Sequence, residues 1–168
     1  GVNSGSLEKE LLKKHGGVTA EALAESALLA ISEAEQTGFR ELVISIKSSD
    51  IQQNFDAHRL IAEKTEHPFH IGITEAGTIE RGKIKSSIGI GSLLLAGIGD
   101  TIRVSLTGDP TEEILCAKEI LKATGVRKSG FDWISCPTCG RTRVDLVRIA
   151  RELEDRIRPL EEQWEREN

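Results

Sequence analysis

Apolar positions along the chain recur with two periods, and the alternation between them outlines an architecture. From Ala20 to Thr37 the residues Leu23, Ala27, Ala30, Ile31 and Ala34 return at three and four, the spacing of one buried helical face. Thr19 opens this helix and Gly38 ends it. Ahead of it, Ser6 is placed to cap a first helix over Leu7 to His15, which Gly16-Gly17 stops. Leu42-Val43-Ile44-Ser45-Ile46 is short, branched and nearly all apolar, which predicts a strand buried on both sides of a parallel sheet. Asp50 begins a helix carrying Phe55, Leu60 and Ile61, and Pro68 introduces a strand from Phe69 to Thr74. A helix of small and aliphatic residues follows from about Lys83 to Ala96, then a strand from Thr101 to Leu106. Pro110 suits the first position of a helix running to about Thr124. Phe131 to Ser135 reads as a last short strand, and a mostly charged helix runs from about Val144 to the end.

Strand and helix thus alternate at about 30 residues per unit, which predicts parallel strands joined by right-handed crossovers. Either a barrel or an open doubly wound sheet satisfies that pattern. The polar residues Asn3, Lys47, Glu75, Arg103 and Ser105 fall at or near strand C-termini, where (β/α)8 barrels gather their chemistry, and this favours the barrel. A complete barrel needs eight strands and roughly 200 residues or more. The α/β pattern therefore reads as half a TIM barrel of about four units over residues 1–125, followed over residues 126–168 by a segment of different character.

Composition narrows the function classes. With 168 residues and 38% hydrophobic content the chain can bury a core of ordinary size. A net charge of −5 and a pI near 5.5 argue against the basic face that a phosphate backbone requires, so nucleic acid is not an expected partner. The longest apolar stretch, Ile88 to Ile98, carries three glycines and a serine and falls short of the roughly 20 residues of a membrane span. No membrane association and no signal peptide are expected. Three cysteines do not make a secreted disulfide framework, which points to a reducing compartment, the cytoplasm. The chain contains no methionine and starts at Gly1-Val2-Asn3 as if leaving a strand, so it reads as cut from something longer.

Two of the cysteines form the pair Cys136-x-x-Cys139. Zinc wants a second Cys or His pair, and His15, His58, His67 and His70 all lie upstream without partner spacing. A thiol–disulfide motif and an iron–sulfur ligand pair both remain open on spacing alone. Cys116, beside Leu115 in a helix, reads as a core residue. Gly77 to Lys83 matches the phosphate-loop pattern, but Ile84 stands where the motif needs a magnesium-binding hydroxyl, so a polar loop with a glycine at either end is the better reading. Gly89, Gly91, Gly97 and Gly99 miss the dinucleotide fingerprint and read as small residues that let a helix lie close to its sheet. Lys47 and Glu75 at strand ends can bind phosphate, move protons or form a Schiff base, with a buried salt bridge as the plain alternative. Joined by Arg103 and Ser105 on the next strand, they predict an anion-binding mouth.

These residues lie within five ordered motifs: Gly1-Val2-Asn3-Ser4-Gly5-Ser6-Leu7, Ser45-Ile46-Lys47-Ser48-Ser49-Asp50, Gly72-Ile73-Thr74-Glu75-Ala76-Gly77, Gly99 to Leu106, and Ser135-Cys136-Pro137-Thr138-Cys139. On them the chain, from Gly1 to about Pro159, resembles the 4-hydroxy-3-methylbut-2-enyl diphosphate synthase family, iron–sulfur enzymes of the non-mevalonate isoprenoid pathway. The resemblance implies reductive ring opening of 2-C-methyl-D-erythritol 2,4-cyclodiphosphate, with two electrons passed from ferredoxin or flavodoxin through a 4Fe–4S cluster. By motif, Asn3, Lys47, Arg103 and Ser105 bind this cyclic diphosphate, Glu75 handles protons at the reacting end, and Cys136 and Cys139 hold two irons. It also implies a homodimer for the parent protein, and makes residues 126–168 the start of an incomplete iron–sulfur domain. The family's third cysteine, its glutamate ligand and the first half of its barrel are not in this sequence, and the tail from Glu161 to Asn168 departs from the family pattern. The chain by itself is therefore expected to be inactive and to associate through open sheet edges. Two rival readings are a Schiff-base aldolase-type barrel using Lys47 and Glu75, and a non-enzymatic module whose Cys-x-x-Cys is a metal clip and whose tail helix binds a partner.

Overall fold

A computed structural model describes residues 1–128, 131, 134–136 and 138–167, which divide into two compact units, Gly1–Val126 and Arg127–Asn168. In the first unit four short parallel strands alternate with helices: β1 (Val2–Asn3), α1 (Lys9–His15), α2 (Ala20–Gln36), β2 (Ile46–Lys47), α3 (Ile51–Ala62), β3 (His70–Gly72), α4 (Ile79–Leu95), β4 (Thr101–Arg103) and α5 (Pro110–Ala123). β1 pairs with β2 and β3 with β4, both in parallel. The two pairs are joined by an Ile44–Phe69 bridge, in which Ile44 N donates to Pro68 O and His70 N to Ile44 O, each at 2.8 Å. The strands therefore stand side by side in chain order. Each helix packs on the next, α2 on α3, α3 on α4 and α4 on α5.

Strand parity explains the core. Ile44, Ile46, Ile71 and Val104 point towards the helices and are buried in one cluster with Leu23, Ile61, Ile90 and Leu93, while Ile73 is buried beside Gly89. Each fully buried side chain of this size contributes about 1.5–3 kcal/mol. Residues of the other parity face away from the helices. The expectation that Leu42 to Ile46 is buried on both sides is thereby corrected: Ile46 is wholly buried, whereas Val43 is 58% exposed. An apolar run reveals how strongly a strand attracts neighbours, not whether both faces receive them.

Helix starts follow local chemistry where a side chain can reach its own backbone. Thr19 Oγ1 accepts from Ala22 N at 3.1 Å, Asp50 Oδ1 from Gln53 N at 2.9 Å, and Asp109 Oδ1 from Thr111 N at 2.8 Å, with Pro110 in the first turn. Ser6 does not cap α1. Ser4–Ser6 form a 3-10 turn, Ser6 Oγ reaches back to Asn3 O, and Glu8 stands at the helix start with its carboxylate accepting from Ser26 Oγ of α2 at 2.9 Å. α4 also begins earlier than expected, at Ile79, so most of the stretch read as a polar loop is helical. Gly82 permits this, because a Cβ there would lie 2.6 Å from Leu106 Cδ2. Gly89 lets α4 approach Ile73 in the same way, while Gly97 and Gly99 belong to the turn after the helix and hold φ of 76° and 125°. Lys83, the lysine of the phosphate-loop match, pairs with Glu112 of α5, which raises its proton affinity.

The second unit holds one long helix, α6 (Leu146–Glu167), begun by Asp145 Oδ1 accepting from Arg148 N and laced by the pairs Arg148–Glu152 and Arg158–Glu154. The expected strand from Phe131 to Ser135 is absent at Phe131, Ile134 and Ser135, and its remaining residues, Asp132 and Trp133, lie outside the described ones, as does Pro137. Phe131 N instead donates to Glu161 Oε1 of α6 at 2.9 Å, a side-chain acceptor that replaces a ladder partner. Among the described residues no helix is long and apolar enough to cross a membrane.

Candidate active site

Parallel pairing in chain order brings four strand ends to one edge, and the register decides which residues share it. Asn3 is level with Lys47, and Gly72 with Arg103. Three residues on from the Ile44–Phe69 bridge, Lys47 comes level with Gly72, so Asn3, Lys47, Gly72 and Arg103 form one row across the four strands. Gly72 makes the row possible: a Cβ there would lie 2.7 Å from Arg103 O and 3.5 Å from Lys47 Cε. The Lys47 stem crosses the space over Gly72 towards the Arg103 strand.

Among the described residues Lys47 and Arg103 form no ion pair, so the expected Lys47–Glu75 salt bridge is not formed. Lys47 is half-buried, and its ammonium is pushed below the ordinary lysine range by burial first and by the Arg103 guanidinium second. Two like charges held together with no counter-ion among the described residues make a strong local positive field, suited to an anion with more than one charge. Ser105 lies two residues beyond Arg103 with the same parity and is half-buried. Its loop is pinned by Leu106 N donating to Glu113 Oε1 at 2.8 Å and by Thr107 N donating to Gly77 O at 3.1 Å.

Glu75 lies three residues past Gly72 and is exposed, with φ of 52°, the one non-glycine residue with positive φ among those described. It makes no hydrogen bond or ion pair with the described residues. A left-handed glutamate costs of order 1 kcal/mol, and no bond of its own side chain compensates for that cost. The structure thus holds a carboxylate at the edge of the mouth in a conformation that its own side chain does not favour.

One residue of this face was missed by motif and strand-end reasoning. His70 lies directly beneath Gly72 on β3, level with Thr101, and its Nδ1 is 2.8 Å from Thr101 Oγ1. Strand parity could have found it, since residues 70 and 72 share a face once 72 is placed in the mouth.

In the second unit Cys136 and Cys139 are exposed free thiols. Cys139 is held below the ordinary thiol range by the Arg141 backbone N–H, then by the Thr142 hydroxyl and the Arg141 side chain. The Thr142 hydroxyl lies 3.8 Å from Cys139 Sγ and accepts from Cys139 N at 3.0 Å. A thiolate-favouring turn suits a metal-binding cysteine. Cys136, Thr138, Leu146, Val147 and Arg151 line a hollow beside the first turns of α6. Among the described residues no group of three or more His, Cys, Asp or Glu side chains gathers to hold a metal, so this donor set fits part of a ligand sphere. Cys116 is buried between α4 and α5, and burial raises its thiol, as befits a core residue.

Residues 1–118 match the GcpE TIM-barrel domain family. The chain is 60% identical over 157 residues to the 4-hydroxy-3-methylbut-2-en-1-yl diphosphate synthase (flavodoxin) of Clostridium acetobutylicum, which covers 94% of this chain and 45% of that protein. It is 58% identical over 157 residues to the protein of that name from Clostridium perfringens, with the same coverage. For the Aquifex aeolicus protein the identity is 55% over 157 residues, 94% of this chain and 44% of that protein. The chain spans about half the length of these curated relatives.

Proposed function

The chain belongs to the GcpE TIM-barrel family, and on that premise we propose that it is the C-terminal half of the barrel, with the start of an iron–sulfur domain, of a 4-hydroxy-3-methylbut-2-enyl diphosphate synthase. The boundary between the two parts falls near residue 125. The reaction is the two-electron reductive ring opening of 2-C-methyl-D-erythritol 2,4-cyclodiphosphate. The observation that carries this reading is the row of Asn3, Lys47 and Arg103 around Gly72, which sets two cations on strand ends with no ion pair among the described residues.

In this reading Lys47 and Arg103 hold the diphosphate oxygens, Asn3 and Ser105 bond the hydroxyl and phosphoryl groups beside them, and Glu75 holds and moves the proton that the leaving oxygen needs. A charged diphosphate suits the two cations because its oxygens supply the counter-charge that no described residue provides. Cys136 and Cys139 would be two ligands of a 4Fe–4S cluster, which when bound supplies the electrons. Flavodoxin, which the relatives' names carry, or ferredoxin would be the donor, and the whole protein would work as a cytoplasmic homodimer. Two thiolates do not complete a four-iron site, so the chain alone is inactive.

Inorganic diphosphate titrated into the chain tests the mouth. Lys47→Ala and Arg103→Ala should each weaken binding about tenfold or more, the effect of removing a charge-assisted bond. Equal binding by all three proteins would sink the reading. Turnover of the cyclodiphosphate by the unpartnered chain would overturn the claim of inactivity.

A further inference from the structure

We propose that His70 is a further member of the anion-binding mouth, its Nε2 donating to the phosphoryl oxygens that Lys47 and Arg103 hold, so that binding a diphosphate anion takes up a proton at this ring. The inference rests on the reading of the mouth as a diphosphate site.

Register supplies the placement. His70 and Thr101 form the row beneath Gly72 and Arg103, on the face of the strands that carries Lys47. Gly72 has no side chain, so nothing of β3 stands between the ring and the mouth. Thr101 Oγ1 engages Nδ1 at 2.8 Å, which orients the ring, while Nε2 has no partner among the described residues. With the threonine hydroxyl donating to Nδ1, the neutral ring carries its proton on Nε2, the nitrogen left to meet a ligand. The neutral ring is therefore a donor towards the mouth.

Charge supplies the switch. Burial lowers the proton affinity of His70, and Lys47 of β2 and then Arg103 of β4 lower it further. Both charged neighbours are positive, and both are the groups a diphosphate would neutralise. Once the anion is seated, their repulsion of an imidazolium is offset, and a negative charge lies beside Nε2. The ring then binds a proton more tightly in the complex than in the free chain, and by linkage the anion binds more tightly as the pH falls through that interval. The threonine hydroxyl can turn to accept from a protonated Nδ1, so the same contact serves both states.

The test follows the His70 ring of the 168-residue chain by NMR against pH, with and without inorganic diphosphate, the ring signal being assigned by its loss in His70→Gln. The midpoint is expected to rise when diphosphate is added. His70→Gln, which keeps a donor but cannot titrate, should bind within about threefold of the original chain at alkaline pH and lose the extra gain on acidification. Comparison at equal pH cancels the titration of diphosphate itself. His70→Ala should bind about five- to tenfold more weakly. Suppose the amides of Lys47, Arg103 and Ser105 shift saturably with diphosphate while the His70 midpoint stays put and His70→Ala binds unchanged. That result overturns the inference and leaves the diphosphate mouth standing. If no amide of the row responds saturably, the diphosphate reading itself falls, and this inference with it.

Discussion

Glu75 and Gly72 show how much of the mouth depends on single backbone positions. Glu75 sits at φ 52°, a region that glycine enters freely and other residues enter at a cost. Glu75→Gly should raise the stability of the fold by about 1 kcal/mol in urea unfolding. A loss would mean that the carboxylate is bonded in solution and is not the poised group described here. Gly72→Ala should have the opposite effect. Its Cβ would meet Arg103 O at 2.7 Å and crowd Lys47 Cε, costing about 1–3 kcal/mol by overpacking and weakening diphosphate binding. Unchanged stability and binding would show that β3 and β4 can separate without cost. Gly72 does not declare its role by residue type, because the reason lies on the neighbouring strands of Arg103 and Lys47.

Among the elements, α3 carries the tie between the mouth and the core. Behind Lys47, Ser48 N donates to Asn54 Oδ1 at 3.1 Å, Asp50 N donates to Ser48 Oγ at 3.1 Å, and Asp50 caps the helix. Asp50→Ala should cost about 1 kcal/mol in thermal or urea unfolding. One turn further on, His58 is fully buried against Phe69, its Nδ1 bonded to Asn54 O at 2.7 Å and its Nε2 without a partner among the described residues. Burial lowers its proton affinity more than the Asn54 contact raises it. The unfolded chain therefore binds a proton at this site at higher pH than the folded one. Stability should fall as pH drops below the ordinary histidine value of about 6.5, with a slope from this residue of at most about 1.4 kcal/mol per pH unit. Unfolding measured between neutral and mildly acid pH should show this slope, and His58→Phe should flatten it. A curve of the same shape in both proteins would assign the slope elsewhere.

At the scale of the molecule, the four strands leave an unpaired edge on β1 and another on β4 among the described residues. Such edges template pairing with another chain. A cleft at the β1 edge, lined by Val2, Ala27, Ile31, Leu42 and Ile44, adds apolar surface on that side. The chain should therefore associate with rising concentration in sedimentation velocity. A single monomeric species across the whole concentration range would show that the edges are protected. Family membership and the length covered agree with this incompleteness, since the chain spans about half of its relatives.

The sequence by itself determined the order and type of the elements from β1 to α5, though not the strand expected at Phe131 to Ser135, because periodicity and most helix caps are local and act within a few residues. Thr19, Asp50 and Pro110 each began the helix expected of them. It also marked Asn3, Lys47, Glu75, Arg103 and Ser105 as strand-end polar residues, and its motifs pointed to the family. Only the tertiary structure decided which of them share a row, since register between strands is set by pairing and not by spacing along one strand. Tertiary structure alone put His70 beneath the gap at Gly72, brought the Lys47 stem towards the Arg103 strand, and held Glu75 in a left-handed turn. It also gave the Ser6 hydroxyl to Asn3 O and started α4 at Ile79. In each case the deciding contact or strand pairing is fixed by how the folded chain packs and not by residue type alone.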